Sequence, residues 1–200
     1  MASITKTAGT SLLSLQSVSA SSVVQGSAVD VSTKLGGTVF IHFGRQSATA
    51  AGAGANIRIE ASSRSSGDIH WFPLAIFTTG FAAASDEAVS GTEAAGQTVI
   101  SVASTTGLAA GDIIFFNNGT IGNSEWHRIK SIVTNTSITI EETNGLTNAQ
   151  TGATIYDSAE FFVAQLDFTG VTRVRAVADG ASFTQAFAIE IEMVTGDSIG

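Results

Sequence analysis

Few residues in this chain have the type and spacing for chemistry. Gly196-Asp197-Ser198-Ile199-Gly200 matches the G-x-S-x-G pattern of a serine nucleophile. That pattern works when a strained strand-to-helix turn exposes the serine and a helix behind it helps to hold an oxyanion. No helix follows here, so a polar tail is expected and no catalysis by Ser198. The histidines are His42, His70 and His127, and no two have the short spacing of a local metal site. Asp86 and Glu87 fall in a polar stretch and read as a solvated acidic patch. Glu190 and Glu192 share one face of a predicted strand, a placement that could serve acid–base work or hold a cation. An exposed charged face accounts for them as well and is the preferred reading. Gly52 and Gly54 lack the third glycine of a dinucleotide loop and precede a strand rather than a helix. Asn118-Gly119-Thr120 and Asn135-Thr136-Ser137 are glycosylation sequons, which matter only in a secreted chain. Trp71 and Trp126 each sit beside a histidine. Such rings can stack on sugars or bases, but within strands they are expected as core anchors. No catalytic, metal or cofactor-binding residue is assigned, and no cofactor is expected.

Composition narrows the classes. The chain is 44% hydrophobic but only 13% charged, about half the usual charged share. Small residues and β-formers dominate, and long helical periodicity is absent, so an all-β chain is expected. The net charge is −8 and the nine Lys and Arg are scattered, which argues against nucleic acid as a partner. There is no cysteine, hence no disulfide or thiolate chemistry. No run reaches the roughly 18 apolar residues needed to span a bilayer as a helix. Leu12, Leu13 and Leu15 make too short an apolar core for a signal peptide, so no membrane partner is expected.

The strands that must position any site are read from period-two alternation. Glu160–Phe168 places Phe162, Ala164, Leu166 and Phe168 on one face. Thr172–Ala178 aligns Val174, Ala176 and Ala178. Residues 186–194 put Phe187, Ile189, Ile191 and Met193 inward and Glu190 and Glu192 outward. Their partners are expected far upstream, at 38–43, 57–62 and 71–78, where the chain's one proline, Pro73, marks an edge strand or a bulge. Residues 82–97 read as a linker. Short strands follow within 98–156, with Ile129, Ser131 and Val133 on one face of one strand and Ile138 and Ile140 inward on the next, together suggesting a small barrel. The expected architecture is an antiparallel, jelly-roll-like β-sandwich of residues 23–84 plus 160–200, with a small β-barrel of residues 85–159 inserted at a loop tip. The alternative, two sequential domains cut near residue 90, leaves strands 38–78 uncovered. Residues 1–22 read as an extended N-terminal arm, or as a marginal first strand over 11–18.

Three strings resemble virion proteins of tailed bacteriophages: AVDVSTKLGGTVFIHFGR (28–45), RIEASSRSSGDIHWFPL (58–74) and FFVAQLDFTGVTRVRAVADG (161–180). TVISVASTTGLAAGDIIFF with SITIEET resembles small barrel modules of phage and surface proteins. The resemblance implies a non-enzymatic structural protein of the virion, made in the host cytoplasm, most nearly a jelly-roll-type capsid decoration (cement) protein. Tail and neck proteins of similar build, and a carbohydrate-binding tail module, are the alternatives. The implied partners are the major capsid protein and copies of the chain itself. A homotrimer is expected, with the 1–22 arm lying against an adjacent subunit or the shell.

Overall fold

The structure, a computed structural model, describes residues 9–66 and 70–197. The first third of the chain forms β1 (Thr10–Val18), β2 (Val23–Gln25), β3 (Val29–Asp30), β4 (Lys34–Arg45), β5 (Asn56–Ser62) and β6 (Phe72–Thr78). The middle forms β7 (Asp86–Ala88), β8 (Thr92–Glu93), β9 (Val99–Ser101), β10 (Ile113–Asn117), β11 (Glu125–Val133), β12 (Ser137–Ile140), β13 (Gln150–Thr151) and β14 (Thr154–Tyr156). The last part forms β15 (Glu160–Asp167), β16 (Arg173–Asp179) and β17 (Phe187–Asp197).

The fold is all-β, as the alternation predicts, and it is consistent with a β-sandwich. One sheet has the order β1-β17-β4-β15 and a second the order β2-β16-β5-β6, with β3 also on β16. C-terminal strands thus lie between or beside N-terminal ones, as β17 does between β1 and β4. Ile41, Phe43, Ile57, Ile59, Val174, Ala176, Ile189, Ile191 and Met193 interleave between the two sheets and are shut from water. Each of these side chains larger than alanine contributes about 1.5–3 kcal/mol relative to exposure. Phe43, Phe183 and Phe187 close one end, with ring centroids 5.3–5.8 Å apart. Arg45 continues the inward face of β4 and is buried. Its guanidinium donates to the carbonyls of Thr49 (2.6 Å) and Ala82 (2.8 Å), tying two loops to the sandwich.

The middle strands make a six-stranded sheet, order β7-β14-β10-β11-β12-β9, and the pair β13-β8. The outermost strands meet beyond their ends, where Val89 bridges Val102 and Ser90 N–H donates to the Ser101 carbonyl at 2.9 Å. The sheet therefore curls round onto itself about Ile100, Ile114, Phe116, Ile129, Ile138 and Ile155.

Several expectations are corrected. The arm over 1–22 is not an arm across the described residues. β1 pairs with β17 from Thr10↔Met193 to Val18↔Phe187, and Leu12, Leu13 and Val18 are buried in the chain's own core. Register shifts between Ser11 and Leu13 and between Leu13 and Gln16 break the period, which is why the segment looks patternless in sequence. The expectation that this segment lies on a neighbouring subunit falls with it, and residues 1–8 lie outside the described residues. The stretch 82–97 is not a bare linker, because β7 and β8 lie within it and Glu93 is buried. Edge strands are held by main-chain bonds and need no apolar run. In β11 a shift between Ile129 and Ser131 turns Ile132 to the core and leaves Val133 exposed, the reverse of simple alternation. Pro73 does sit on an edge strand, opposite Glu60, beside a register shift.

Candidate functional site

The barrel rests on the outer face of the first sheet. β4 turns Val39, Ile41 and Phe43 inward, so His42 and Gly44 face out. A β-carbon at Gly44 would lie 2.5 Å from the Phe115 ring, so only glycine lets the barrel lie flat on this strand. Phe115, Tyr156, Ala159 and Ala188 form a small separate core at this seam, with Leu15, Ile121 and Trp126 packed against it.

A line of rings crosses the seam. Phe115 and Trp126 have centroids 4.9 Å apart, Trp126 and His42 5.4 Å, and His42 and Phe161 4.7 Å. Beside them opens a cleft of about 420 Å³ whose walls come from both units: His42, Phe161 and Glu190 from the sheet, and Trp126, Glu142 and Asn148 from the barrel. His42 Nδ1 lies 3.6 Å from Glu190 Oε2. The indole N–H of Trp126 is closed to solvent and has no acceptor.

One wall is set by an acid hub. Alternation along β11 sends Trp126 to the seam and Glu125 and His127 to the other side. Glu125 accepts from the Thr147 N–H (2.8 Å), the Asn148 N–H (3.1 Å) and Gln150 Nε2 (2.7 Å), which pins the loop before β13. Both nitrogens of His127 face carboxylates, Nε2 at 3.0 Å from Glu125 Oε2 and Nδ1 at 2.9 Å from Glu142 Oε2. Carboxylates on both sides favour the charged form of the ring. Burial alone would lower its pKa, but the bonds to Glu125 and Glu142 outweigh burial and raise it. Burial raises Glu125, and the donors from His127, Thr147, Asn148 and Gln150 together bring it below the ordinary carboxylate value.

The structure does not bring the histidines together. His42 is at the seam, His127 behind it, and His70 is exposed near Trp71 in sequence. Among the described residues no three His, Asp, Glu or Cys side chains group as metal ligands. Ser198 lies outside the described residues. Glu190 turns to His42, whereas Glu192 is exposed. Asp86 and Glu87 are strand residues of β7 paired with Tyr156 and Ile155, and Glu87 accepts from Ser104 Oγ at 2.9 Å. Gly52 adopts a left-handed turn in the loop after β4. Asn118 donates to the Ala149 carbonyl and to Gln150, and Asn135 takes a turn of positive φ. Neither tryptophan is a central core anchor. Trp71 lies over the Arg175 guanidinium, 4.3 Å from its ring centroid, on the outer face of the second sheet. Trp126 is the bridging ring of the seam. Glu125, Glu142 and Phe161 were not singled out by sequence. The Glu-x-His spacing at 125–127 carried the signal, because two residues apart on a strand share a face.

No protein family and no curated protein matches the chain. Among solved structures, the SPBc2 prophage-derived protein YomS is similar over 98% of this chain and 97% of that one, at 11% identity and a TM-score of 0.35. VP17, a capsid protein of bacteriophage P23-77, has 9% identity over 98% of this chain and all of that one, with a TM-score of 0.20. A mutant VP2 protein of infectious bursal disease virus has 11% identity over 96% of this chain and 39% of that one, with a TM-score of 0.22. These likenesses are too distant to carry an argument about what the chain does.

Proposed function

We propose that the protein is a non-enzymatic structural protein of a phage virion, a decoration protein that attaches in several copies to an assembled capsid shell and bridges its subunits. The observation that carries the reading is one open side of the sandwich. β6 and β15 end their respective sheets, and they lie together: Phe77 and Phe162 have ring centroids 5.3 Å apart, and Gly80 N–H donates to Glu160 Oε1 at 2.6 Å. Phe72 is 64% exposed, Ile76 58% and Val163 61%. No charged side chain occurs from Trp71 to Ser85 or from Phe161 to Leu166. An open apolar edge without charge is a surface that seeks a partner. In a chain of net charge −8, an uncharged face is also where copies approach with least repulsion. The three strings that resemble tailed-phage virion proteins lie in the two sheets that carry this edge. Many such contacts, repeated by symmetry, make a modest interface effective.

The sandwich with an inserted barrel, the virion location and assembly as a homotrimer belong to the same proposal. Co-sedimentation with expanded empty capsids tests it. Saturable attachment of the parent protein and loss of attachment in Ile76→Lys and Val163→Lys are expected. A parent protein that stays in the supernatant, or variants that bind like it, would overturn the reading.

A further inference from the structure

The seam cleft shares only Phe161 of β15 with the open edge, and its chemistry is of another kind. Its apolar lining is Leu15, Trp126 and the Phe161 ring, part of whose surface is exposed beside His42. Around that ring stand side chains able to bond hydroxyl groups and little engaged elsewhere. Glu190 has only His42 at 3.6 Å, and Glu142 commits one oxygen to His127. The Asn148 side-chain amide makes no hydrogen bond among the described residues, although its backbone N–H is fixed by Glu125. Trp126 adds a wall whose indole N–H lacks an acceptor, an arrangement that leaves a buried donor's desolvation uncompensated. The polar groups are placed rigidly: Asn148 by the Glu125 hub, Glu142 by the His127 ring, and His42 and Glu190 by paired strands.

We propose that this cleft binds a saccharide. A sugar ring presents C–H groups on a face and hydroxyls at its rim, which suits an aromatic surface ringed by planar acceptors and donors. Carboxylates Glu125, Glu142 and Glu190 all border the cleft, so acidic sugars are repelled and neutral or amino sugars fit. The site takes one wall from the barrel and one from the sandwich, which gives the packing of the barrel on the sheet a purpose beyond stability.

The test is an array carrying neutral, amino and uronic or sialic oligosaccharides, probed with the full chain, with affinities of retained sugars measured by titration calorimetry. Binding to neutral or amino sugars is expected, weakened about tenfold or more in both Phe161→Ala and Glu190→Gln. Both side chains are partly exposed, so the melting temperature serves as a control for folding and should stay near that of the parent. Retention of no sugar, preference for the acidic sugars, or equal binding by the parent and both variants would overturn the assignment. Capsid attachment by Glu190→Gln, whose side chain lies off the open edge on β17, should be unchanged, so failure here is distinct from failure of the structural role.

Discussion

The sandwich and the barrel each hold a largely buried glutamate, and they neutralise it by different means. In the sandwich, Glu60 on the outer face of the second sheet receives Arg175 through Nε (2.8 Å) and Nη2 (2.7 Å) and Arg58 through Nε (3.2 Å). Arg58 also reaches Asp179 at 2.7 Å, and Trp71 covers Arg175. In the barrel, Glu125 receives the His127 ring and three N–H donors from the 147–150 segment. Arginine keeps its charge at any ordinary pH, and two of them share the load. Histidine titrates, and backbone donors have no substitute. The difference teaches that the barrel's loop geometry hangs on single groups, while the sandwich network is redundant.

Removing the barrel hub should have the largest effect. Glu125→Ala leaves the buried Gln150 amide, the half-buried Thr147 and Asn148 N–H groups and the buried His127 ring short of an acceptor, a loss of about 3 kcal/mol by analogy with broken buried pairs. Urea unfolding monitored by tryptophan fluorescence measures it. A loss below about 1 kcal/mol would mean that water replaces the carboxylate without cost.

Next in size is the seam. Gly44→Val drives a side chain into the Phe115 ring, and overpacking of this kind costs about 1–3 kcal/mol. The expected signature is a change in the environment of Trp126 with the sandwich intact, read by NMR of the indole N–H. An unchanged indole resonance would show that the ring moves aside freely.

The pH dependence follows from the shifts. His127 is raised above 6.5, so its contribution is complete below that value and is lost as pH rises through the raised folded value. Glu125 is lowered below 4.5, so its contribution is complete above that value and is lost as pH falls through the depressed folded one. The barrel hub should therefore be firmest between about 4.5 and 6.5 and weaken on both sides. In the sandwich, the Arg58 hydrogen bond chiefly lowers Asp179, which gives an acid limb and no limb near neutrality. Hydrogen-exchange protection of the Thr147 and Asn148 amides against pH, compared with that of β5, separates the two. His127→Gln should flatten the alkaline limb and move the acid limb upward, because His127 is foremost among the donors that lower Glu125.

Arg175→Ala should have the smallest effect, about 1 kcal/mol, because Arg58 remains on Glu60. Thermal melting measures it. A loss as large as that of Glu125→Ala would erase the contrast.

Much of the sandwich was legible because its long strands keep strict alternation. Ile57, Ile59 and Ala61 on β5, and Phe187, Ile189, Ile191 and Met193 on β17, face the core as their spacing demands. β1 was obscure because its bulges bring the adjacent Leu12 and Leu13 both into the core, and no simple period encodes that. β7 and β8 were obscure because main-chain pairing with β14 and β13 holds them, and backbone groups leave no mark in composition. The candidate cleft was half legible. The Trp126–His127 neighbourhood drew notice, yet nothing local announces that Phe161, 35 residues on, comes within reach through His42.

The sequence by itself determined an all-β chain, the inward faces of its long strands and that Pro73 stands at an edge or a bulge, because those properties depend on side-chain period and on a missing N–H, both local. Tertiary structure alone decided that β1 closes one sheet, that β6 and β15 leave one side open, and that four rings line the seam. Those outcomes depend on which distant strands pair and in what register, and on Gly44 letting Phe115 approach the sheet. Pairing of that kind is set by the summed burial of both faces across the whole chain, which no single stretch of residues carries.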